Sequence, residues 1–398
     1  MRTLVLDNGS YTIKCGYAED SGTDQPRVIP NTVTRTKRTR RVCVADLAEA
    51  STADLSGLYY RSPFERGYLV HWDAELVIWD RVLSDDVLGC TPGETHLTVT
   101  EPVLNFRQIQ RNMDEVVFEE YGFASVVRTA ATKLAAGTAS GSECIVVVDV
   151  GHAFTYVVPY WGGRQVAEAI RRVDVGGRML TNYLKETVSF RYWDMMDETY
   201  IMSAVKEQTC FVSQDFNRDQ EETAAAMRVD YVLPDFVHSK RGFVRGRGGQ
   251  AELLMSGAEL QMLPLARERF AVPEALFHPS DVGIDHMGGI HNAVVQAVGA
   301  CPPETQAVML ANIVLVGGSA LLPGLRERLQ AEIQAMSPEG ARVNIVMPSD
   351  DPATCAWQGG RLLAAQRENS ESDGWRISRQ EFHEIGPDRT IAHFNRFA

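Results

Sequence analysis

No two of the seven cysteines stand at C-x-x-C spacing; they fall at 15, 43, 90, 144, 210, 301 and 355. Such a scatter supplies neither a zinc site nor a disulfide framework, and it fits a reducing compartment. The histidines do not cluster as ligands either: His286 and His291 stand at i and i+5 in a glycine-rich stretch. No apolar run approaches the ~20 residues of a membrane helix. Positive charge is scarce overall. The 39 Lys and Arg against 52 Asp and Glu leave a net charge of −13, which excludes a general nucleic-acid binder. No Ser/His/Asp or Cys/His nucleophile arrangement stands out. The first predicted strand begins at Thr3, so no secretory leader is expected. A cytosolic or nuclear globular protein is the expectation, and 44% apolar with 23% charged residues is its ordinary balance. A chain of 398 residues exceeds one typical core and should form two or more lobes.

What is there begins at residues 4–17, "LVLDNGSYTIKCGY". An apolar run reaches Asp7, then Asn-Gly-Ser, then an alternating stretch. That predicts a strand, a tight turn and a strand coming straight back. Residues 144–160, "CIVVVDVGHAFTYVVPY", repeat it, with Asp149 and Gly151 corresponding to Asp7 and Gly9. A single recurrence so far along the chain is not a solenoid period. It predicts two similar α/β domains, each opening with a hairpin. If they face each other, the two turns meet across a cleft. Both then offer backbone N–H groups to one anion, with the two Asp side chains near a metal or its water shell.

Ile109, Met113, Val116, Val117 and Tyr121 predict an amphipathic helix over 107–121. Further helices are expected over 176–188, after a glycine pair, and over 197–212, with Asp197 as N-cap. Residues 312–336 predict a buried strand, the pair Gly317–Gly318 and a helix whose N-terminus would favour an anion. Taken singly, D-x-G hairpins and strand-Gly-Gly-helix turns are more often structural than functional. Two D-x-G turns followed in order by V-G-G-S are far more specific.

In that order the motifs resemble the actin-type ATPase fold, and the likeness spans nearly the whole chain. "LDNGSYTIKCGYAED" resembles the first phosphate loop of actins, and "PFERGYLVHWDAELVIWDRVL" the segment by which the small domain returns to its core. "IVLVGGSALLPGLRERL", "WQGGRLLA" and "ISRQEFHEIGP" have counterparts in the same order. Within the superfamily, "EPVLNFRQIQRNMDEVVFEEYGF", "FVSQDFNRD", "VDYVLPDF" and "ERFAVPEALFHPSDVGI" are most similar to the actin-related protein 6 family. Members of that family are nuclear subunits of a machine that exchanges a variant histone into nucleosomes.

The resemblance implies an α/β fold of two related domains around a nucleotide cleft, each with a smaller subdomain. Residues 1–130 would form the small domain, with a reduced subdomain at about 30–68. Residues 131–360 would form the large one, with an insertion at about 236–267, and 361–398 would return to the small domain. Carried over by position, Asp7, Gly9, Ser10 and Lys14 match the first phosphate loop, and Asp149 and Gly151 the second. Gly177, Lys206 and Glu207 match positions near ribose and adenine, and Gly317 and Gly318 the adenosine turn. Lys14 and loop N–H groups would neutralise phosphate, Glu207 would accept from a ribose hydroxyl, and Asp7 and Asp149 would sit in the outer shell of Mg²⁺.

The departures from the family pattern carry as much weight. Where actins have a small hydroxyl, then Asp-Gly, this chain has Val150, His152 and Ala153, which should cost contacts to phosphate. A first-loop glycine is Tyr11, costly if that turn requires a positive φ. The Gln that orients the attacking water falls on Ala131, and residues 118–143 contain no Gln, His or Asn in any register. A second water-positioning residue, a His, falls on Tyr156, and a basic residue near adenine on Ala353. Such groups are each worth roughly 10²–10⁴ in rate, so hydrolysis near background is expected. Binding of ATP or ADP with Mg²⁺ as a structural ligand, and an empty cleft, both stay open.

Residues 35–41, "RTKRTRR", fit a solvated loop, or a contact with DNA, histone, an acidic partner or an import receptor. Residues 236–267 fit a bare loop or a recruitment surface, with a flexible Arg/Gly half and "AELLMSGAELQMLPLA" as a docked helix. The expectation is a nuclear, non-catalytic scaffold beside a Snf-type helicase, forming no homopolymer and touching no membrane. A filament-forming or otherwise active actin-like ATPase is the alternative.

Overall fold

The computed structural model describes residues 1–20, 25–36, 42–47, 58–139, 141–235, 241–246, 260–348, 351–367 and 374–396. The chain is mixed α/β and is organised by two large sheets. In the first, β1 (Arg2–Asn8) pairs antiparallel with β2 (Thr12–Tyr17), and β2 with β3 (Arg27–Pro30). On its other side β1 lies parallel to β9 (Thr95–Glu101), and β9 lies parallel to β10 (Ser125–Ala130). A late strand, β20 (Ile377–Ser378), closes the six-stranded order β20-β10-β9-β1-β2-β3.

The second sheet repeats the plan. Its strand β11 (Cys144–Val150) pairs antiparallel with β12 (Thr155–Trp161) and parallel with β18 (Ile313–Val316). β19 (Ile345–Val346) follows β18, and β13 (Arg164–Gln165) and β14 (Arg171–Val173) both pair with β12. Both hairpins share one register: Asp7 lies opposite Lys14, and Asp149 opposite Tyr156.

Runs of Val, Leu and Ile explain why β1 and β11 occupy sheet interiors, since strands with parallel neighbours are covered on both faces. The period of two then sorts β11. Val146, Val148 and Val150 enter the core of the second half, while Ile145 and Val147 join a smaller cluster between the sheets. Two helices fill that central layer, α2 (Ala131–Thr138) and α5 (Cys355–Arg367). They approach closely at Gly359, where a Cβ would come within 1.9 Å of the Leu134 carbonyl oxygen. No residue but glycine fits there.

The smaller parts are also sheets. β4 (Val33–Thr36), β5 (Val42–Val44) and β6 (Leu58–Arg61) form the order β5-β4-β6, and β7 (Phe64–Glu65) with β8 (Tyr68–Leu69) forms a hairpin. β15 (Val229–Val232) lies between β16 (Phe243–Val244) and β17 (Met262–Leu265). The last two correct the sequence reading of the insertion. Its Arg/Gly half contains a strand, and its apolar half ends in a strand rather than a helix. Alternating burial in "MLPL" shows the period of two that decides this. Residues 251–259 of that predicted helix, and residues 37–41 of the basic run, lie outside the described residues.

Three helix boundaries also differ from expectation. The 107–121 helix is α-helical over Arg107–Glu115 and continues as a π turn over Val116–Glu120. The helix expected from 197 starts at Thr199, with Glu198 in the N-cap position and no side-chain cap. At the glycine pair Gly318 opens a 3-10 turn, Gly318–Leu321, and the α-helix begins only at Leu325. The N-terminus expected to favour an anion is therefore not at the glycine pair. Among the described residues no helix is long and apolar enough to cross a membrane.

Candidate functional site

The ends of β1 and β11 form walls of one cavity of about 460 Å³. Asp7, Gly9, Ser10 and Lys14 reach it from the first hairpin, and Asp149 and Gly151 from the second. Gly177 reaches it from the start of α3 (Gly177–Arg191), and Lys206 and Glu207 from α4 (Thr199–Thr209). Gly317 and Gly318 complete the set after β18. Residues scattered over most of the chain thus share one surface.

At the first hairpin the acid is compensated. Lys14 Nζ lies 3.3 Å from Asp7 Oδ2, and Thr100 Oγ1 donates to Asp7 Oδ1 at 2.9 Å. Beneath the turn is a buried polar network. Asn8 Nδ2 donates to Glu75 Oε1 at 2.6 Å, Trp79 Nε1 donates to Asn8 Oδ1 at 3.3 Å, and Asn31 Nδ2 donates to the Gly9 carbonyl at 3.0 Å. Glu75 is fully buried on α1 (Trp72–Leu83), and burial pushes its carboxyl up to about 7 against the opposing bonds from Asn8, Asn31 and Trp79. Sequence reading missed this support. One signal was present: Glu75 occupies the same helical stripe as Ile78, Trp79 and Val82, an acid in an apolar face.

At the second hairpin the acid lacks a cation opposite it in the ladder. Burial pushes Asp149 up to about 6, Asp7 adds to the rise, and Lys14 opposes it. Gly317, at φ +94°, brings the turn after β18 so close that a Cβ would sit 2.5 Å from Asp149 Oδ1. The hairpin is held through its backbone. Gly177 N–H donates to the Gly151 carbonyl at 3.0 Å and Arg178 N–H to the His152 carbonyl at 2.8 Å. The first N–H groups of α3 are therefore engaged with the turn itself. Lys206 is buried, and its Nζ donates to the Gly177 carbonyl and to Thr181 Oγ1, both at 2.9 Å. Burial lowers its pKa, so the ammonium is held by the fold rather than extended into the cleft.

The departures from the family pattern resolve individually. Val150 is fully buried in the core of the second half, so its side chain offers the cleft no donor. Strand alternation turns it away from the cleft. Tyr11 carries no positive-φ strain, since Ala45, Arg66 and Leu104 are the only non-glycine residues with positive φ among those described. Instead the Tyr11 ring stacks on His152, with centroids 4.6 Å apart and planes at 21°. Tyr11 Oη shares a hydrogen bond with Ser203 Oγ at 3.2 Å, and Ser203 Oγ donates to Glu207 Oε1 at 3.1 Å. Burial, aided by Lys206, Arg178 and Lys14, pushes His152 down to about 3, so its imidazole is neutral at physiological pH. Ala131, Tyr156 and Ala353 all line the cavity, with Ala131 opening α2.

A model of the actin family matches residues 1–394. The chain belongs to the actin family. It is similar to actin-related protein 6 of Drosophila melanogaster, 41% identical over 376 residues that cover 91% of this chain and 92% of that one. Actin-related protein 6 of Neurospora crassa is 38% identical, covering 96% of this chain and 92% of its own. That of Oryza sativa subsp. indica is 34% identical, covering 98% of each. The fold of this actin-family chain, with its paired sheets and facing hairpins, accords with that membership.

The donor set has the chemistry for a polyphosphate with a divalent cation. Lys14 and the glycine-rich turns offer donors, while Asp7 and Asp149, near enough to raise the latter's pKa, offer negative charge that a cation would relieve. Among the described residues no three His, Cys, Asp or Glu side chains converge to enclose a metal. A Mg²⁺ ion here would be held through phosphate oxygens and waters, with the two acids in its outer shell.

Proposed function

We propose that this actin-family chain is a non-catalytic scaffold subunit of a nuclear chromatin-remodelling complex that exchanges a variant histone into nucleosomes. Its cleft holds ATP or ADP with Mg²⁺ as part of the structure. The role in the complex rests on the resemblance to the actin-related protein 6 family, and it implies assembly with a Snf-type helicase. One observation carries the non-catalytic part. The cavity wall where a water-orienting side chain is required presents Ala131 and Ala135, and the nearby imidazole of His152 is neutral and stacked. Methyl groups neither orient water nor accept its proton.

When bound, Mg²⁺ would neutralise phosphate charge. The chain's own residues then hold the ligand in place. Lys14 offsets phosphate, the turns donate N–H groups, and Tyr11 with His152 closes the gap between the hairpins. A ligand at ~100 times its Kd stabilises such a closed form by about 2.7 kcal/mol.

Phosphate release by the purified chain should equal that of its Asp7→Ala and Asp149→Ala variants. Turnover well above theirs, or salt-induced polymerisation with phosphate release, would sink the non-catalytic reading. Tagged purification from the native source should return a large complex containing a Snf-type helicase, and recovery of the chain alone would sink the scaffold. Anion-exchange chromatography of the denatured, filtered protein tests for retained nucleotide.

A further inference from the structure

Two of the residues that depart from the family pattern meet each other. Tyr11 belongs to the first turn and His152 to the second, and their rings stack face to face across the cleft at 4.6 Å. Ser203 on α4 holds the phenol from one side. The stack stands between the cavity of about 460 Å³ and a wider one of about 800 Å³ beyond it, because Ser10, Tyr11, Gly67, His152, Ala153 and Ser203 line both. It is thus the partition of the cleft, placed at the tips of the two hairpins.

A phosphate chain running along the two turns approaches that partition. For its terminal phosphate to take N–H groups from both tips, the gap between residues 11 and 152 must be open. The stacked rings occupy it. Charge argues the same way. Each added phosphate brings negative charge towards Asp7 and Asp149, yet Lys14 is already 3.3 Å from Asp7 and the Lys206 ammonium donates to Gly177 and Thr181. The imidazole is neutral and brings no compensating charge.

We propose that the Tyr11–His152 stack makes this cleft selective for nucleoside diphosphates over triphosphates. The selectivity rests on the reading that the cleft holds a nucleotide, and it goes beyond that reading by making the phosphate count a property of two named side chains. Loss of hydrolysis then has a second cause, since a chain that disfavours the third phosphate seldom holds the β–γ phosphoanhydride that an ATPase cleaves.

The test is calorimetric titration of the full chain, freed of nucleotide, with Mg-ADP and with Mg-ATP. The diphosphate should bind at least about tenfold more tightly. Tyr11→Gly combined with His152→Ala should bring the two affinities together by admitting the triphosphate. His152→Ala alone should move them in the same direction, which covers a double variant that fails to fold. Tyr11→Phe keeps the ring and should keep the preference. Equal or tighter binding of Mg-ATP by the native chain overturns the selectivity and leaves the nucleotide reading standing. Binding of both ligands by the double variant alone also overturns it. No binding of either by any of these chains overturns the nucleotide reading together with the selectivity.

Discussion

In the first hairpin the residue opposite the acid Asp7 is Lys14; in the second, the residue opposite Asp149 is Tyr156. The fold element and the register are the same, but the electrostatics differ. Asp7 has a cation at 3.3 Å and a hydroxyl donor, whereas Asp149 is pushed up to about 6 by burial and by its neighbour Asp7. Support differs too. Asn8, Asn31 and the α1 residues Glu75 and Trp79 hold the first turn through side chains from three places in the chain, while the carbonyls of Gly151 and His152 hold the second. A duplicated scaffold can therefore keep its geometry on both sides while keeping a charge-compensated acid on only one.

Mutations on the two sides should break this comparison unequally. The largest effect is expected for Trp79→Ala, which removes a side chain 1% exposed in the core and the donor to Asn8. A loss of about 3–5 kcal/mol should appear in denaturant unfolding. Lys14→Met strands the buried Asp7, and a loss of about 1–3 kcal/mol is expected, together with weaker nucleotide binding. His152→Ala, its counterpart across the cleft, removes an aromatic stack worth about 0.5–1.5 kcal/mol. If His152→Ala proved as costly as Trp79→Ala, the asymmetry between the hairpins would be wrong.

Glu75 sharpens the comparison through pH. Its carboxyl titrates near 4.5 when unfolded and at about 7 when folded, so the folded chain retains a proton that the unfolded chain has lost between those values. The stabilisation tied to that proton is complete below pH 4.5 and disappears as the pH rises through 7. Glu75→Gln should flatten the fall in Tm across this window and gain on the order of 1–2 kcal/mol above it. Asp114 and Asp149, both raised to about 6 mainly by burial, act with the same sign and leave some slope in the variant. An unchanged pH profile would show that Glu75 is ionised in the fold. An effect as small as that of His152→Ala is expected for Tyr11→Phe, which removes one hydrogen bond to Ser203 at a cost of about 0.5–1.5 kcal/mol. Thermal unfolding monitored with and without Mg-ADP reads both quantities.

Much of the fold was legible because its signals are local. Strand, turn and return strand follow from an apolar run, Asp-x-Gly and alternation, and these lie within 4–17 and again within 144–160. The insertion was less legible. "AELLMSGAELQMLPLA" is a short apolar stretch of a kind that fits helix or strand, and pairing of Met262–Leu265 with Val229–Val232 decided for strand at its end. Asp197 had the chemistry of an N-cap, yet α4 begins after Glu198, a shift of one residue, the scale on which helix ends vary.

The sequence alone determined the duplicated hairpins, the glycines that let their surroundings close, and the lack of any Gln, His or Asn across 118–143. These depend on backbone propensity and on which atoms are present, and no tertiary arrangement can supply a missing side chain. Only the tertiary structure decided that Val150 faces the core, that Glu75 lies beneath the first turn, and that Tyr11 lies against His152. Each depends on long-range packing: strand alternation chooses a face, but the partner that covers that face comes from a distant part of the chain.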